Sequence, residues 1–240
     1  MPVFNEGDSI VAAVANVRRA LECYTRNSEI IVVNDGSTDC SRARLDEMAT
    51  AGELCVLHST ENHGYGWALR TGFAAATRPL VFFTDSDNQF DAMDLGLLLP
   101  LIDEADIVIG HRVGRRDGTL RAALSRGYNV LVRALLDVQV RDINCAFKLI
   151  RRESLAALAL ASRGYTINAE MIARAARARL RVREVPVPHH PRRVGRSKVG
   201  ITDMPWALAE LLSLRRALCK TQEPAPLTAA AEPLGRKRVG

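Results

Sequence analysis

The chain has 240 residues, and 48% of them are hydrophobic, which is enough apolar material for a buried core and excludes a chain that is disordered throughout. Its formal net charge is +6, from 33 lysines and arginines against 27 acidic residues, and this balance fits either an anionic partner or a compositional bias towards arginine. Since no helix-turn-helix, zinc or aromatic-basic signature accompanies the charge, we do not expect a nucleic acid as the partner.

The cysteines and the apolar runs limit the compartment. Five cysteines are scattered through the chain without CxxC spacing, which indicates neither a zinc site nor a disulfide framework and favours a reducing cytoplasm. The first residues lack the pattern of a signal peptide, and no apolar run approaches the ~20 residues that cross a bilayer. We therefore expect a cytoplasmic protein that is soluble or peripheral on the inner face of the cell membrane.

The first 110 residues alternate short β-rich runs with helical stretches, a pattern typical of a parallel sheet covered by helices. Strands are predicted at 29–34, 54–58, 79–84 and 105–110, with helices ending near 76 and spanning about 92–103. The opening residues, 1–6, resemble the end of a first strand, which is either very short or begins upstream of them.

After residue 110 the sequence becomes rich in arginine. Helices are predicted near 120–136, 152–161, 168–178 and 203–219, and strands at 145–150 and 181–187. The whole pattern predicts an α/β fold with a single, Rossmann-like, mostly parallel sheet flanked by helices. We expect one domain over 1–219 and a disordered tail over 220–240, which is rich in proline, alanine and charge.

A pair of aspartates follows the most hydrophobic strand, in the sequence Asp85-Ser-Asp87-Asn-Gln89. Ligands of open α/β sheets bind at the carboxyl ends of strands, and residues i and i+2 of an extended segment point the same way. Asp85, Asp87 and Gln89 can therefore present three oxygens of the kind that Mg²⁺ or Mn²⁺ prefers. The alternative is a polar turn before the next helix, with Asp91 or Asp94 as its cap.

Polar residues also follow the strand at 29–34, in the sequence NDGSTD at 34–39. They predict a tight turn and a helix N-cap, and the Asp35 carboxylate could also accept from a nucleobase N–H or from ribose hydroxyls. Neither a GxGxxG nor a GK[ST] loop accompanies these strands, which argues against a dinucleotide or P-loop site. Binding of a diphosphate would then depend on the metal.

Taken in order, these segments resemble the family 2 glycosyltransferases with the GT-A fold. The resemblance rests on PVFNE at 2–6, NDGSTD at 34–39, NHGYG at 62–66 and DSDNQF at 85–90. Later segments are similar to the polyprenyl- or dolichyl-phosphate sugar transferases of that family: GHR at 110–112, Arg121 with Ser125 and Tyr128-Asn129, DINCAFK at 142–148, and RRVGRSK at 192–198. The resemblance covers about residues 1–215.

The resemblance implies a nucleotide-sugar-binding half over 1–110 and an acceptor-binding half over 111–219. The nucleotide-sugar residues it implies are Pro2, Glu6, Asp35, Asp85, Arg192, Ser197 and Lys198, the last three on a loop that closes on the donor. The metal, Mg²⁺ or Mn²⁺, is assigned to Asp85, Asp87 and Gln89. The acceptor phosphate is assigned to Arg112, Arg121 and Ser125. The donor implied is GDP-mannose or a UDP-hexose, and the expected acceptor is a polyprenyl phosphate.

The chemistry that follows is an inverting transfer, in which Asp87 and Arg121 are the expected catalytic residues. A phosphate nucleophile is already ionised near neutral pH and needs no strong base. Glu170 is a third catalytic candidate, which could orient the loop at Arg192 or act as a base towards a hydroxyl acceptor. The alternative for Glu170 is a first-turn charge favoured by the helix dipole. The alternative for Arg121 and Ser125, one helical turn apart, is a solvated basic helix.

The last predicted helix, 204–219, carries regularly spaced leucines and is interpreted first as a core helix and second as an interfacial helix. Arg215, Arg216 and the basic residues at 236–238 would favour an anionic membrane leaflet in the second case. Two other functions remain open. One is transfer to a hydroxyl acceptor, such as a polysaccharide or a small metabolite, and the other is binding of nucleotide sugars without catalysis.

Overall fold

The computed structural model describes the backbone of residues 1–114, 119–192 and 204–220, and the side chains of 1–114, 125–192 and 208–219. The strands are β1 (Pro2–Val3), β2 (Ile31–Asp35), β3 (Cys55–Ser59), β4 (Leu80–Thr84), β5 (Ile107–Val113), β6 (Phe147–Arg151) and β7 (Val182–Pro188). The helices are α1 (Ile10–Tyr24), α2 (Ser41–Thr50), α3 (Tyr65–Ala75), α4 (Leu95–Leu98), α5 (Thr119–Leu136), α6 (Arg152–Ala157), α7 (Ile167–Arg177) and α8 (Met204–Lys220). Apart from residue 220, the predicted tail lies outside the described residues.

The seven strands form two sheets. Strands β1, β2 and β3 lie side by side and parallel, whereas the second sheet has the order β4-β6-β5-β7. In that sheet β5 and β7 are parallel, and β6 runs antiparallel to both of its neighbours. The α/β class and the parallel-rich, helix-flanked architecture predicted from the sequence are confirmed. The predicted single sheet is instead two sheets, since β1 and β4 do not pair as strands.

The buried Ser86 joins the carboxyl ends of β1 and β4. Its hydroxyl donates to the carbonyl of Pro2 at 3.0 Å, and its own carbonyl accepts from the Ser9 hydroxyl at 3.0 Å. The Asn88 side chain adds a bond to the Ser9 carbonyl at 3.1 Å. The loop after β1 and the acidic segment after β4 are therefore held next to each other, although the two strands belong to different sheets.

The central strands of the second sheet, β5 and β6, are mostly buried. In β5 the run Ile107, Val108 and Ile109 is fully buried, as expected for a continuous apolar strand between two helical layers. The largest buried cluster joins β4, β5 and β6 to α5, α7 and α8. A separate cluster packs α4 and its neighbouring turns against Phe147 and Val187.

Two predicted helices are shorter than expected. The helix predicted at 92–103 is the short α4 between two 3-10 turns, because Pro100 has no N–H to continue an α-helix. The helix predicted at 152–161 ends at Ala157, and Ala159 takes a left-handed conformation with φ of 47°. No helix within the described ranges is both long and apolar enough to span a bilayer.

Candidate active site

The loops after β1 and β2 are interlocked by side-chain to backbone hydrogen bonds. The Asn5 side chain accepts from the backbone N–H groups of Thr38 at 2.7 Å and Asp39 at 3.3 Å. In return, the Asp39 carboxylate accepts from the backbone N–H of Gly7 at 2.9 Å. Asn5 has a φ of 51°, a conformation that asparagine tolerates better than most residues. These bonds fix the backbone that leads into Glu6.

The buried carboxylate of Asp35 binds the loop that follows β3. It accepts from the backbone N–H groups of His63 and Gly64, each at 2.8 Å. Gly36, with φ of 69°, lies so close to this loop that a Cβ would be 2.3 Å from the carbonyl carbon of Glu61. A nucleobase could use only the lone pairs of Asp35 that remain, and its role in a nucleoside pocket stays a prediction.

The two glycines of the NHGYG segment are explained by a close backbone contact. The N–H groups of Gly66 and Trp67, at the start of α3, donate to the carbonyl of Arg163 at 2.6 and 3.1 Å. A Cβ on Gly66 would lie 2.6 Å from the carbonyl oxygen of Ser162, and one on Gly64 would lie 2.8 Å from that of Arg163. The start of α3 is therefore packed against 162–164 and can only carry glycine at these positions.

Glu170 holds the same segment from its other side. Its carboxylate, on a residue that is 1% exposed, accepts from the backbone N–H of Ala161 at 3.0 Å and of Ser162 at 2.7 Å. It also pairs with Arg174 one turn along α7, at 2.7 Å. These partners show that Glu170 stabilises 161–162. Its roles as a catalytic base or as a support for the loop at Arg192 stay predictions.

The acidic segment after β4 lies at the centre of the site. The Asp85 carboxylate accepts from the Tyr65 hydroxyl at 3.0 Å, and that of Asp87 accepts from the backbone N–H of Gln89 at 3.1 Å. Burial, followed by the charge of Asp87, raises the pKa of Asp85 to about 7. Burial also raises the pKa of Asp87. Asp91 caps the next turn at 3.0 Å, so Asp85 and Asp87 are not needed as caps.

Gln89 faces the loop that follows β7. Its backbone carbonyl accepts from the N–H of His190 at 2.8 Å, and its side-chain amide donates to the carbonyl of His190 at 3.1 Å. Since the amide nitrogen is used in this bond, the amide oxygen is the atom that remains for a ligand.

The donor set fits Mg²⁺ or Mn²⁺. Two carboxylates that disfavour each other's charge gain from a divalent cation, and Gln89 adds a third hard oxygen. The part of the chain that the structure describes has no cluster of three His, Cys, Asp or Glu side chains arranged to hold a metal. A cation here would therefore depend on Gln89 and on substrate oxygens to complete its coordination.

Cationic side chains surround the acidic centre. Arg192 forms an ion pair with Glu6, and its charge lowers the pKa of Asp87 against the effect of burial. Lys148 is fully buried and donates to the carbonyl of Ile143 at 3.2 Å and to the side-chain oxygen of Asn168 at 2.8 Å. Burial lowers the pKa of Lys148 to about 8. The positive charge of Arg192 thus acts on Glu6, Asp87 and Asp85, and that of Lys148 acts on Asp85.

The residues predicted for the acceptor phosphate are described only in part. Arg112 makes a two-pronged contact with Asp142, from Nε at 2.6 Å and from a terminal nitrogen at 2.7 Å. Ser125 lies on α5 and is half-buried. The side chain of Arg121, and all of Ser197 and Lys198, lie outside the described residues, so their predicted roles stay predictions.

Sequence reasoning assigned no role to four residues of this network, which are Tyr65, Asp142, Lys148 and Asn168, although the first three lie in segments that carry the family resemblance. A signal existed for Lys148, one of only four lysines in the chain, because it interrupts an apolar strand between Phe147 and Leu149. A charged residue at a core position is rare without a specific partner. No comparable local signal marks Tyr65 or Asn168.

Comparison with known proteins gives a family match for most of the chain. The family described as Glycosyl transferase family 2 matches residues 1–158. A dodecaprenyl-phosphate galacturonate synthase of Rhizobium johnstonii is 29% identical over 219 residues, which cover 89% of this chain and 64% of that protein. A polyprenol monophosphomannose synthase of Mycolicibacterium smegmatis is 31% identical over 220 residues, which cover 83% of this chain and 79% of that protein. The chain thus spans less than two thirds of the Rhizobium protein.

Among solved structures, glucosyl-3-phosphoglycerate synthase from Mycobacterium tuberculosis has a similar fold. The complex described with Mn²⁺, uridine-diphosphate and glucosyl-3-phosphoglycerate aligns with a TM-score of 0.70 and 19% identity, over 92% of this chain and 79% of that one. At this identity the likeness shows the fold alone, which is that of the GT-A glycosyltransferases.

Proposed function

We propose that this chain, which belongs to glycosyl transferase family 2 and is a glycosyltransferase, transfers a hexose from a nucleotide-diphosphate sugar to a polyprenyl phosphate. The observation that carries the proposal is the acidic centre of Asp85, Asp87 and Gln89 beside the loops after β1 and β2. The polyprenyl-phosphate sugar synthases among the relatives support the acceptor class. GDP-mannose and the UDP-hexoses both remain candidate donors. The proposed reaction inverts the anomeric centre.

Asp85, Asp87 and Gln89 would hold the Mg²⁺ or Mn²⁺ ion. When bound, such an ion supplies Lewis-acid stabilisation of the leaving diphosphate. The complex of the Mycobacterium tuberculosis synthase with Mn²⁺ and uridine-diphosphate supports the same kind of donor site. Asp87 is the catalytic member of this set in our proposal, because its charge repels that of Asp85 and a divalent cation removes this repulsion.

The proposed donor site extends from the acidic centre into the interlocked loops after β1 and β2. Pro2, Glu6 and Asp35 would line the nucleoside part of this site. Arg192, now paired with Glu6, would exchange this partner for the donor diphosphate. Ser197 and Lys198 would contribute from the same loop.

The proposed acceptor site lies in the half of the chain after 110. A phosphomonoester is ionised at neutral pH, so the protein must hold it rather than deprotonate it. Asp142 fixes the plane of the Arg112 guanidinium through Nε and one terminal nitrogen, and a planar guanidinium is well suited to bind a phosphate. Arg121 and Ser125 would complete this site. A hydroxyl acceptor would need a base, and Glu170 is already bound to 161–162.

The test is the chemical nature of the product. We expect the purified protein, incubated with Mn²⁺, a short-chain polyprenyl phosphate and radiolabelled nucleotide sugars in turn, to form a labelled product that extracts into chloroform. The matched control is the same polyprenol without its phosphate, which should accept no label. Transfer restricted to water-soluble hydroxyl acceptors would contradict the proposed acceptor. If no nucleotide sugar binds in a Mn²⁺-dependent way, the proposed metal-dependent activity is wrong.

We also propose peripheral contact of α8 with the membrane. One face of α8 is in the core through Leu211, Leu214 and Leu218, which agrees with the core-helix interpretation. The other face exposes two leucines, Leu208 (41%) and Leu212 (40%), beside the exposed Arg215 and Arg216. This combination suits an anionic lipid surface. The basic residues at 236–238 lie outside the described residues.

Vesicle flotation measures this contact. We expect the double variant Leu208→Ser/Leu212→Ser to bind anionic vesicles at least about 30-fold more weakly, since each leucine removed from lipid costs about 1 kcal/mol or more. Leu97→Ser, which changes an equally exposed leucine on α4, is the matched control and should bind as the unchanged protein does. Equal binding of the double variant would exclude α8 as the contact.

A further inference from the structure

Tyr65 is the first residue of α3 and reaches the acidic centre. Its hydroxyl donates to Oδ1 of Asp85 at 3.0 Å, and its ring packs against the largest buried cluster. The ring also stacks on Tyr165, with centroids 5.1 Å apart and planes inclined by 21°. A hydroxyl held in this way bonds one carboxylate oxygen, so it restricts rotation of the Asp85 carboxylate.

The neighbours of Tyr65 determine which atom its hydroxyl hydrogen faces. The Lys148 ammonium has only donors, so the Asn168 atom that it contacts at 2.8 Å is the side-chain oxygen. Asn168 also forms a side-chain hydrogen bond with the Tyr65 oxygen, and its amide nitrogen is then the donor of that bond. With its oxygen facing an N–H donor, the Tyr65 hydroxyl directs its proton to Asp85.

The backbone of Tyr65 is fixed as well. The two N–H groups that follow it, those of Gly66 and Trp67, bind the carbonyl of Arg163, and Gly66 has no room for a side chain. A shift of α3 along its axis would break both bonds. The hydroxyl is therefore held against Asp85 from the backbone and from the side chain.

We propose that Tyr65 is a positioning residue for the transfer reaction, which binds Oδ1 of Asp85 and thereby keeps Oδ2 directed to a divalent cation. This inference rests on the proposed metal-dependent function. Without the hydroxyl, the carboxylate is free to turn away from Asp87, whose charge repels it, and towards the positive charges of Lys148 and Arg112. Partners that orient metal ligands typically change metal affinity by about 10- to 100-fold.

The test is Tyr65→Phe, which keeps the ring and its stacking and removes one hydroxyl. We expect the dissociation constant for Mn²⁺, measured by titration calorimetry or by the Mn²⁺ paramagnetic resonance signal without donor, to rise about tenfold. The Mn²⁺ concentration for half-maximal transfer should rise in parallel, whereas kcat at saturating Mn²⁺ and the donor KM should stay within about threefold. The Tm should fall by only about 2–4 °C, the effect of losing one hydrogen bond.

Tyr24→Phe is the matched control, because it also removes one hydroxyl that donates one bond, to the carbonyl of Met93 at 2.8 Å, at the far end of α1. It should leave Mn²⁺ binding unchanged. If Tyr65→Phe binds Mn²⁺ within twofold of the unchanged protein, the positioning role is wrong while the proposed function stands. If the unchanged protein binds no Mn²⁺ either alone or with a nucleotide sugar, the proposed function fails and the inference fails with it. A loss of kcat at every Mn²⁺ concentration, with unchanged Mn²⁺ binding, would also overturn the inference.

Discussion

Replacing Asp87 with asparagine is expected to lower sugar transfer by about 10²- to 10³-fold, the range found for the loss of one group that stabilises transition-state charge. The same variant should lose the Mn²⁺-dependent rise in Tm that binding to the folded state produces. The physical reason is that, in the proposed site, Asp87 would supply a ligand and one of the two negative charges whose mutual repulsion a cation relieves.

Without metal, the same substitution is expected to preserve or raise the stability of the protein. The charge of Asp87 works against that of Asp85, and burial disfavours both, so removing one charge relieves the folded state when no cation is present. We therefore expect metal-free Asp87→Asn to have a Tm at pH 8 equal to or above that of the unchanged protein. Asp103→Asn, at an exposed position, is the control and should change neither transfer nor the response to Mn²⁺. Retention of the Mn²⁺ response in Asp87→Asn would remove Asp87 from the metal site.

Replacing Glu170 with alanine should reduce the free energy of unfolding by about 3–5 kcal/mol, the range for breaking a buried ion pair from one side. The change leaves Arg174 without its partner and leaves the backbone N–H groups of Ala161 and Ser162 without their acceptor. Urea unfolding measures the loss, and Glu153→Ala, at an exposed first-turn glutamate of α6, is the matched control with an expected effect below about 0.5 kcal/mol.

Glu170→Gln separates this structural role from catalysis. Glutamine keeps one acceptor oxygen in nearly the same shape, so we expect an intermediate loss of stability. At a temperature where the variant is folded, its initial transfer rate should stay within about threefold of the unchanged protein. A base in the reaction would behave in the opposite way, with a loss of about 10²- to 10⁴-fold and little change in Tm. That result would restore the hydroxyl-acceptor hypothesis.

The acidic centre was predictable because its signal is local. Asp85 and Asp87 follow directly after the apolar run of β4, and the rule that ligands bind at strand ends gives their location without knowledge of the rest of the fold. The ion pair between Arg192 and Glu6 was not derivable in the same way, since 186 positions separate the two residues. The resemblance to a family placed both in the donor site but did not indicate that they contact each other.

Glu170 shows why the remainder could not be predicted. Its position in the first turn of a helix correctly suggested a structural alternative, but the partners of its carboxylate are backbone groups eight and nine residues upstream, in a segment without regular structure. The requirement for glycine at 64 and 66 has the same kind of cause, because the backbone that leaves no room for a side chain there belongs to 162–164. Such constraints arise between distant segments and leave no periodic pattern in the sequence.

The contact between α3 and Arg163 has a consequence for how anions are held. The first N–H groups of a helix commonly attract phosphate, but at the start of α3 a carbonyl oxygen of the protein already occupies that position. In the proposed reaction, binding of a pyrophosphate therefore depends on guanidinium groups and on a dissociable metal ion rather than on fixed peptide dipoles. Chelators and high ionic strength should weaken this binding, and they should affect recognition of the nucleoside much less.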